Sequence, residues 1–392
     1  MNILFYTIYK VSSTKGGTER ATISVASSLK RYYNCKCYSI YRIKADTPKD
    51  NCFDEEFFSP TINSNAELIR IIKTYNIDSI IIQGAFGVVQ LFKTILKDLN
   101  TKVVFVYHCE PGFEEYLLQK ERIINAIFKS SSKINFIKNL ARLIYFPIAK
   151  LTIRQKLCKK YKNAYVHADI VVLLCNAFIH QYADYGRLSD VSKFRVIPNG
   201  LSYKEYASFN TVSNKKPIVL IVSRLEETPK RISIALKIWR ELKKNPESDG
   251  WILNVVGHGP DKEIYEKMIR KLSIPDVCLL GRQQPKPFYE EASIFMMTSK
   301  SEGWGLTLTE AQQFGVVPIA FDSYPSLKDI ISNEEDGIIV PECDVEMYVK
   351  KLLNLMNDQT NRKRMALNSI RNCKRFSQEE IAKKWWNLLN DR

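Results

Sequence analysis

Apolar residues fall in short runs along the chain, separated by stretches in which they recur every three or four positions. The runs at 2–10, 77–83, 102–109 and 168–175 each fit one buried strand, and the intervening stretches fit helices. The pattern restarts with KPIVLIVSRL at 216. It continues through WILNVVGHG at 251, VCLLGR at 277, SIFMMTS at 293 and VVPIAF at 316, then ends in helical periodicity. Strands alternating with helices imply parallel sheets, so the chain is expected to be α/β with two doubly wound halves. The join falls near 200–215, where Asn199 and Gly200 precede the polar SFNTVSNKKP. The last segment, SQEEIAKKWWNLLNDR, has the period of an amphipathic helix.

Composition is consistent with this division. A chain of 392 residues with 45% hydrophobic content has enough apolar material for two cores. Nine cysteines show no paired zinc spacing, the closest two being Cys35 and Cys37, and an odd count argues against a disulfide framework. Reduced thiols and a cytoplasmic setting are expected. The start, MNILFYTIYKV, lacks a basic region and a small-residue cleavage site, and no apolar run is long enough to span a bilayer.

Charge adds a second feature. The net charge is +16, and the stretch from Arg122 to Ala168 holds eleven Lys and Arg with no Asp or Glu, interleaved with INFI, LARLIYF and IAKLTI. Basic helices with large apolar residues lie on anionic membrane surfaces, so a basic amphipathic insertion at about 113–163 predicts peripheral attachment to the inner face of the cytoplasmic membrane. The alternative is a solvated basic face packed on the first sheet, and Pro147 interrupts the pattern. A pI near 9.3 also raises nucleic acid as a partner. Zinc spacing, ribonucleoprotein aromatic motifs and basic zipper heptads are all absent from the sequence, so no nucleic-acid binding is expected.

The chemistry concentrates in SEGWGLTLTEA, residues 301–311, where Glu302 and Glu310 stand with seven residues between them across a glycine-punctuated turn. The flanking runs read as a strand before the turn and a second strand after Gly315, which puts the turn in a strand-to-helix crevice. Free N–H groups and the dipole at a helix N-terminus favour an anion, and carboxylates accept hydrogen bonds from hydroxyls. An anion joined to hydroxyls suggests a sugar nucleotide. Taken alone, the same residues also fit a solvated loop followed by an ordinary helix start.

EGWGLTLTEAQQFGVVPIAF resembles the signature of the retaining glycosyltransferases of family 4, whose GT-B fold comprises two facing Rossmann-like domains. VSRLEETPKRISIALKIW resembles the family's donor-phosphate segment, VVGHGPDKE its Gly-rich turn, VIPNGL its interdomain signature, and GGTERATISVASSL its N-terminal glycine loop. The resemblance implies an acceptor domain at 1–200, a donor domain at 201–375 and a final helix at 376–392 returning to the first domain. It further implies that Arg224 and Lys230 neutralise the donor diphosphate, with Arg231 open as a substitute for Lys230. Glu310 would receive ribose hydroxyls, Glu302 would contact the donor sugar, and N–H groups from Gly303 and Trp304 through Gly305, Leu306 and Thr307 would hold sugar and phosphate. Gly257 in the GHGP turn and Arg282 after Gly281 would border the phosphates and the base.

In the first half, Gly16 and Gly17 precede a helix expected to begin near Thr18, a place where backbone approaches a phosphate or sugar, and Glu19 faces either the acceptor or the helix dipole. His108 ends KVVFVYHC, and relatives of this stretch carry a histidine beside the reacting sugar. His258 lies in the Gly-rich turn, while His167 and His180 have no motif around them. The chain contains no D-x-D tripeptide, so neither a metal nor another cofactor is expected. The implied activity is metal-independent hexosyl transfer, with retention, from a nucleotide-sugar donor to a saccharide or lipid-linked saccharide acceptor in surface polysaccharide synthesis. A nucleotide-sugar epimerase or a glycogen-type synthase of the same architecture is the alternative. Front-face substitution and double displacement both stay open, as do the sugar, the base and the acceptor.

Overall fold

The computed structural model describes residues 1–12, 16–44, 51–60, 65–116, 123–124, 127 and 132–391. The chain forms two compact units, Met1–Ile197 with Trp386–Arg392, and Pro198–Trp385.

Unit 1 is built on a seven-stranded sheet, β1 (Asn2–Tyr9), β2 (Lys36–Ile43), β3 (Glu55–Phe58), β4 (Ser79–Gln83), β5 (Lys102–Val106), β6 (Ile170–Leu173) and β7 (Phe194–Val196), in the order β3-β2-β1-β4-β5-β6-β7. Every pairing is parallel, Ile3 of β1 facing Cys37 on one side and Ser79 on the other. The run SIIIQ of β4 is buried throughout, as expected of a strand covered by helices on both faces. Apolar runs in the sequence mark β1, β4, β5 and β6 but not β2, β3 or β7. Those three lie toward the sheet edges: β2 mixes charged and apolar residues, β3 is EEFF, and β7 is only FRV.

Unit 2 repeats the plan with six strands, β8 (Lys216–Val222), β9 (Ile252–Val256), β10 (Val277–Gly281), β11 (Ala292–Met297), β12 (Val317–Phe321) and β13 (Ile338–Val340), ordered β10-β9-β8-β11-β12-β13. All its pairings are parallel too. Its core gathers Trp239, Tyr265 and Tyr348, each fully buried, around the aliphatic strands. The hydroxyl of Tyr348 donates to the Ile319 carbonyl at 2.7 Å and the Trp239 indole N–H to Pro275 O at 2.9 Å, so these large side chains enter the core without orphaned polar atoms.

In each unit the strand order reverses at one place, between β1 and β4 in unit 1 and between β8 and β11 in unit 2. Loops leaving the carboxyl ends of such neighbours run to opposite faces of the sheet, which opens the crevice where ligands of doubly wound folds bind.

The final helix is Gln378–Asn390, and its residues from Trp386 onward belong to unit 1. Trp386 stacks on Tyr33 with ring centroids 4.8 Å apart, and Lys102 Nζ donates to the Leu389 and Asp391 carbonyls at 3.3 and 2.5 Å.

Candidate functional site

The crevice of unit 2 holds the glutamate motif. β11 ends at Met297, and the chain passes through Ser301–Gly305 into the helix Leu306–Gln313. Gly305 caps that helix with φ +94°, a left-handed conformation that favours glycine, and it offers no side chain to the first turn. The N–H groups at the start are therefore available to a ligand. Across the crevice, the loop after β8 brings Lys230 Nζ within 2.5 Å of Glu302 Oε1, both side chains about 15% exposed (15% and 14%). An ammonium and a carboxylate thus stand at the reversal point, beside an uncapped helix start.

Arg231 is elsewhere. Its backbone is left-handed, with φ +50°, and its guanidinium is buried. Nε donates to Thr298 O at 2.8 Å, Nη2 to Ser299 O at 3.1 Å and to Ser323 Oγ at 2.6 Å, and Nη1 to Glu342 Oε1 at 3.0 Å. Its donors fasten the loop after β11 to neighbouring segments, so Lys230 is the residue of the two that stands at the crevice with Glu302.

The Gly-rich turn after β9 explains its own composition. Gly257 has φ +155°, and a Cβ there would lie 1.8 Å from Ser223 O; a Cβ on Gly259 would lie 2.3 Å from Leu225 O. These close approaches let the turns knit together: Ser223 N donates to Val256 O, Leu225 N to His258 O and Gly257 N to Gly281 O, at 3.0, 3.1 and 2.8 Å. Arg224, in the same segment, is 69% exposed and lies 3.4 Å from Glu226. Arg282 follows Gly281 and is exposed.

Two side chains of the motif, those of Glu310 and Trp304, are held inside unit 2 by protein contacts. Glu310 is fully buried; Oε1 accepts the Ser202 hydroxyl at 2.6 Å and Oε2 the Tyr289 hydroxyl at 2.9 Å. Each oxygen thus holds one protein hydroxyl and keeps a second lone pair for another donor. Trp304 is 3% exposed and packs edge-on against Phe376, centroids 5.1 Å apart, so its side chain is a packing element.

Unit 1 has a cavity of about 300 Å3 at its own reversal point, lined by the ends of β1 and β4, the segment after β5 and the start of the helix Gly17–Tyr33. That helix begins at Gly17 rather than Thr18, with Gly16 as its cap and Glu19 in its first turn. His108 and Glu19 both line the cavity. His108 Nε2 is hydrogen-bonded to Gln83 Oε1, Nδ1 is buried without a partner among the described residues, and burial lowers the ring pKa from 6.5 to about 4. The ring is therefore neutral at physiological pH. Sequence reasoning missed Gln83, although a glutamine closing a run of isoleucines was a visible signal; it also missed Ser202 and Tyr289, which carry none.

The basic stretch is helical over Lys133–Ile144 and Phe146–His167, with Pro147 at the start of the second helix, where a proline is accommodated and does not break a continuing one. Arg122 and Lys129 lie outside the described residues. The first helix buries nothing, while the second packs through Leu157, Tyr161, Ala164 and Tyr165 near its far end. Exposed apolar side chains line the near ends: Ile134 65%, Ile137 64%, Ile144 69%, Ile148 63% and Leu151 61%. Among the described residues no helix is long and apolar enough to cross a membrane, and no group of acidic, histidine and cysteine side chains could hold a metal.

Residues 203–372 match the sequence model of the glycosyl transferases group 1. The chain is 29% identical over 201 residues to a Campylobacter jejuni GalNAc-alpha-(1->4)-GalNAc-alpha-(1->3)-diNAcBac-PP-undecaprenol alpha-1,4-N-acetyl-D-galactosaminyltransferase, a match covering 51% of this chain and 55% of that protein. It is 25% identical over 391 residues to an uncharacterized glycosyltransferase of Haemophilus influenzae, covering 95% of this chain and 96% of that one. Among solved structures, Anabaena Alr3699/HepE in complex with UDP aligns over 100% of both chains with a TM-score of 0.73 at 16% identity. Two parallel sheets of matching order and the structural likeness identify a GT-B fold, and the match at residues 203–372 together with the relatives supports a glycosyltransferase over an epimerase, a glycogen-type synthase or a nucleic-acid binder.

Proposed function

We propose that the protein is a retaining, metal-independent glycosyltransferase of family 4 that moves a hexose from a nucleotide diphosphate to a saccharide acceptor carried on a lipid. The observation that carries this reading is the Lys230–Glu302 pair at 2.5 Å beside the uncapped start of the helix Leu306–Gln313. An ammonium with three donors can hold a diphosphate oxygen while still touching Glu302, and amides at the helix start meet the charge that grows on the leaving group. Arg224, 69% exposed, adds a second cation from the neighbouring loop. Glu302 then serves a sugar hydroxyl, and the cavity of unit 1 receives the acceptor, with His108 as a neutral hydrogen-bonding group.

With cations and amides to balance the leaving charge, the electrostatics need no metal. Retention follows if the acceptor oxygen bonds the anomeric carbon on the face from which the phosphate departs, the acceptor proton passing to a phosphate oxygen. Trapping a covalent glycosyl-enzyme would instead favour double displacement. The exposed isoleucines among basic residues support attachment to an anionic membrane, which suits an acceptor on a lipid carrier; the Campylobacter relative is named for such a substrate.

The test is a panel of UDP-, GDP-, ADP- and dTDP-sugars scored by thermal stabilisation, followed by nucleotide release with and without EDTA. Stabilisation by one class, and turnover unchanged by EDTA, are expected. No stabilisation by any of them removes the reading, and turnover restored to an EDTA-treated enzyme by magnesium removes its metal-independent part.

A further inference from the structure

The cavity of unit 1 contains a carboxylate that neither the motifs nor the reaction outlined above employs. Glu114 lies in the short helical turn Phe113–Tyr116 and lines the cavity. Resting on the reading that this cavity takes the acceptor, we propose that Glu114 receives an acceptor hydroxyl, that Tyr107 and Tyr161 hold its carboxylate in position for that contact, and that the site selects a neutral sugar ring over a phosphorylated one.

The geometry fixes one oxygen and leaves the other. Tyr107 Oη and Tyr161 Oη each lie 3.1 Å from Glu114 Oε2 and 2.9 Å from each other. Tyr161 Oη also accepts the Gly112 N–H at 2.9 Å. Two phenolic protons serve the three contacts of this triangle, so at least one proton always rests on Oε2. Burial holds both phenols above their ordinary pKa, which keeps them protonated as donors. Oε1 has no hydrogen-bond partner among the described residues.

The neighbouring residue shows what a purely structural glutamate looks like here. Glu115 accepts the Tyr185 hydroxyl at 3.0 Å and faces Lys150 Nζ at 3.6 Å, so its charge has a counterion. Glu114 has none within ion-pairing distance among the described residues. A half-buried carboxylate without a cation is costly unless hydrogen-bond donors satisfy it, and the protein provides them for one oxygen only.

His108 points to the same ligand chemistry. With its Nε2 proton directed at Gln83 Oε1, Nδ1 is a hydrogen-bond acceptor, and it too lacks a partner. The cavity thus offers an open acceptor on Glu114, a further carboxylate on Glu19 and a neutral imidazole on His108 whose Nδ1 is buried beneath the lining, and no lysine or arginine among the described residues that line it. Hydroxyl groups satisfy such a lining, whereas a phosphate would meet carboxylates with nothing to balance it. Phe86 and Phe113 supply apolar surface for the C–H face of a sugar, and about 300 Å3 is at the small end of ligand pockets, suited to one ring.

Saturation-transfer NMR on the full chain tests this with methyl α-glucoside, methyl α-galactoside, N-acetylglucosamine, N-acetylgalactosamine and glucose 6-phosphate, while calorimetry follows UDP and GDP separately. At least one neutral sugar is expected to bind, with glucose 6-phosphate at least tenfold weaker. Glu114→Gln keeps an oxygen for the phenols but gives up the charge, and is expected to weaken the neutral sugar at least tenfold with nucleotide affinity within twofold of wild type. Tyr161→Phe is expected to lose less, since Tyr107 still holds Oε2. Should Glu114→Gln fail to fold, Glu114→Asp, which withdraws the charge by one methylene, carries the same expected loss. Sugar affinity unchanged in the folded variant, equal binding of glucose 6-phosphate, or no sugar binding to a wild-type protein that does bind nucleotide would each overturn the inference. Failure of the wild type to bind either nucleotide would instead strike the donor reading on which it rests.

Discussion

Lys230 and Arg231 are adjacent cations with separate duties, and exchanging either for a neutral residue separates binding from stability. Lys230→Met removes the ammonium opposite Glu302 while keeping the length of the aliphatic stem. A charge-assisted hydrogen bond contributes about 1.5–3 kcal/mol, and the ammonium is shared with Glu302, so the lower end applies. At about 1.4 kcal/mol per decade, the nucleotide Kd rises at least tenfold. The cost to the fold lies between the roughly 1 kcal/mol of an exposed pair and the about 3–5 kcal/mol of a fully buried one, since both side chains keep some access to water (15% and 14% exposed). Arg231→Ala has the opposite profile. It strips donors from the carbonyls of Thr298 and Ser299, which the side chain reaches at 2.8 and 3.1 Å. Each orphaned buried acceptor costs about 1–3 kcal/mol, so unit 2 loses roughly 2–6 kcal/mol; Glu342, being 42% exposed, finds water and is left out of that sum. Calorimetric titration with UDP and GDP, paired with urea unfolding followed at Trp239, measures both quantities. Arg231→Ala with wild-type stability and lost nucleotide binding, or Lys230→Met with an unaltered Kd, would refute the assignment.

Three further outcomes follow from the geometry. Burial lowers the His108 pKa from 6.5 to about 4, so the unfolded chain binds a proton that the folded one resists between those values. Unfolding free energy should therefore be unaffected by this group above pH 6.5 and fall by roughly 3 kcal/mol as pH drops toward 4, and His108→Asn should lack that part of the acid sensitivity in pH-dependent denaturation. Gly257→Ala sets a Cβ 1.8 Å from Ser223 O and should destabilise unit 2 by about 3 kcal/mol or more, seen as a lower urea midpoint; a wild-type midpoint would mean that the turn relaxes freely. On the basic helices, full burial of an isoleucine is worth about 1.5–3 kcal/mol, so Ile137 and Ile144, roughly two-thirds exposed at 64% and 69%, would each gain about 1–2 kcal/mol on entering a lipid interface. Ile137→Glu with Ile144→Glu should abolish flotation with phosphatidylglycerol vesicles at low salt, and wild-type recovery that is equal with neutral vesicles would end the membrane reading.

Much of this was legible in the chain, for identifiable reasons. Central parallel strands are covered on both faces, so SIIIQ, KVVFV and ASIFMM stand out as unbroken apolar runs, whereas edge strands such as EEFF and FRV need less apolar surface and leave no such mark. Lys230 and Glu302 could be named because their local segments have distinctive spacing, but their pairing joins loops 72 positions apart and becomes visible only in three dimensions. Arg231 illustrates the limit: nothing in TPKRIS tells which cation stays at the crevice, since a left-handed backbone at one residue decides it. Glu310 shows a second limit, because its burial depends on Ser202 and Tyr289, 108 and 21 positions away. Glu114 was unreadable for the same reason, its partners Tyr107 and Tyr161 converging from the segment after β5 and from a helix that follows much later.

The two units use one strand order to opposite electrostatic ends. Reversal of the order between β1 and β4, and again between β8 and β11, opens a crevice at the carboxyl ends of the strands in each. In unit 2 the loops bring a lysine and free amides there, a donor-rich surface that favours anions. In unit 1 the described lining offers a neutral imidazole and carboxylates, an acceptor-rich surface that disfavours them. Topology alone would let either unit bind a nucleotide; the proposed function assigns it to unit 2 on side-chain charge. The decision is measurable by exchange: Lys230→Glu should cost unit 2 its nucleotide, whereas Glu19→Lys with Glu114→Lys should allow glucose 6-phosphate into the cavity of unit 1. If phosphate is still excluded there once both carboxylates are replaced, shape and not charge governs that crevice, and the electrostatic division proposed for the two units fails.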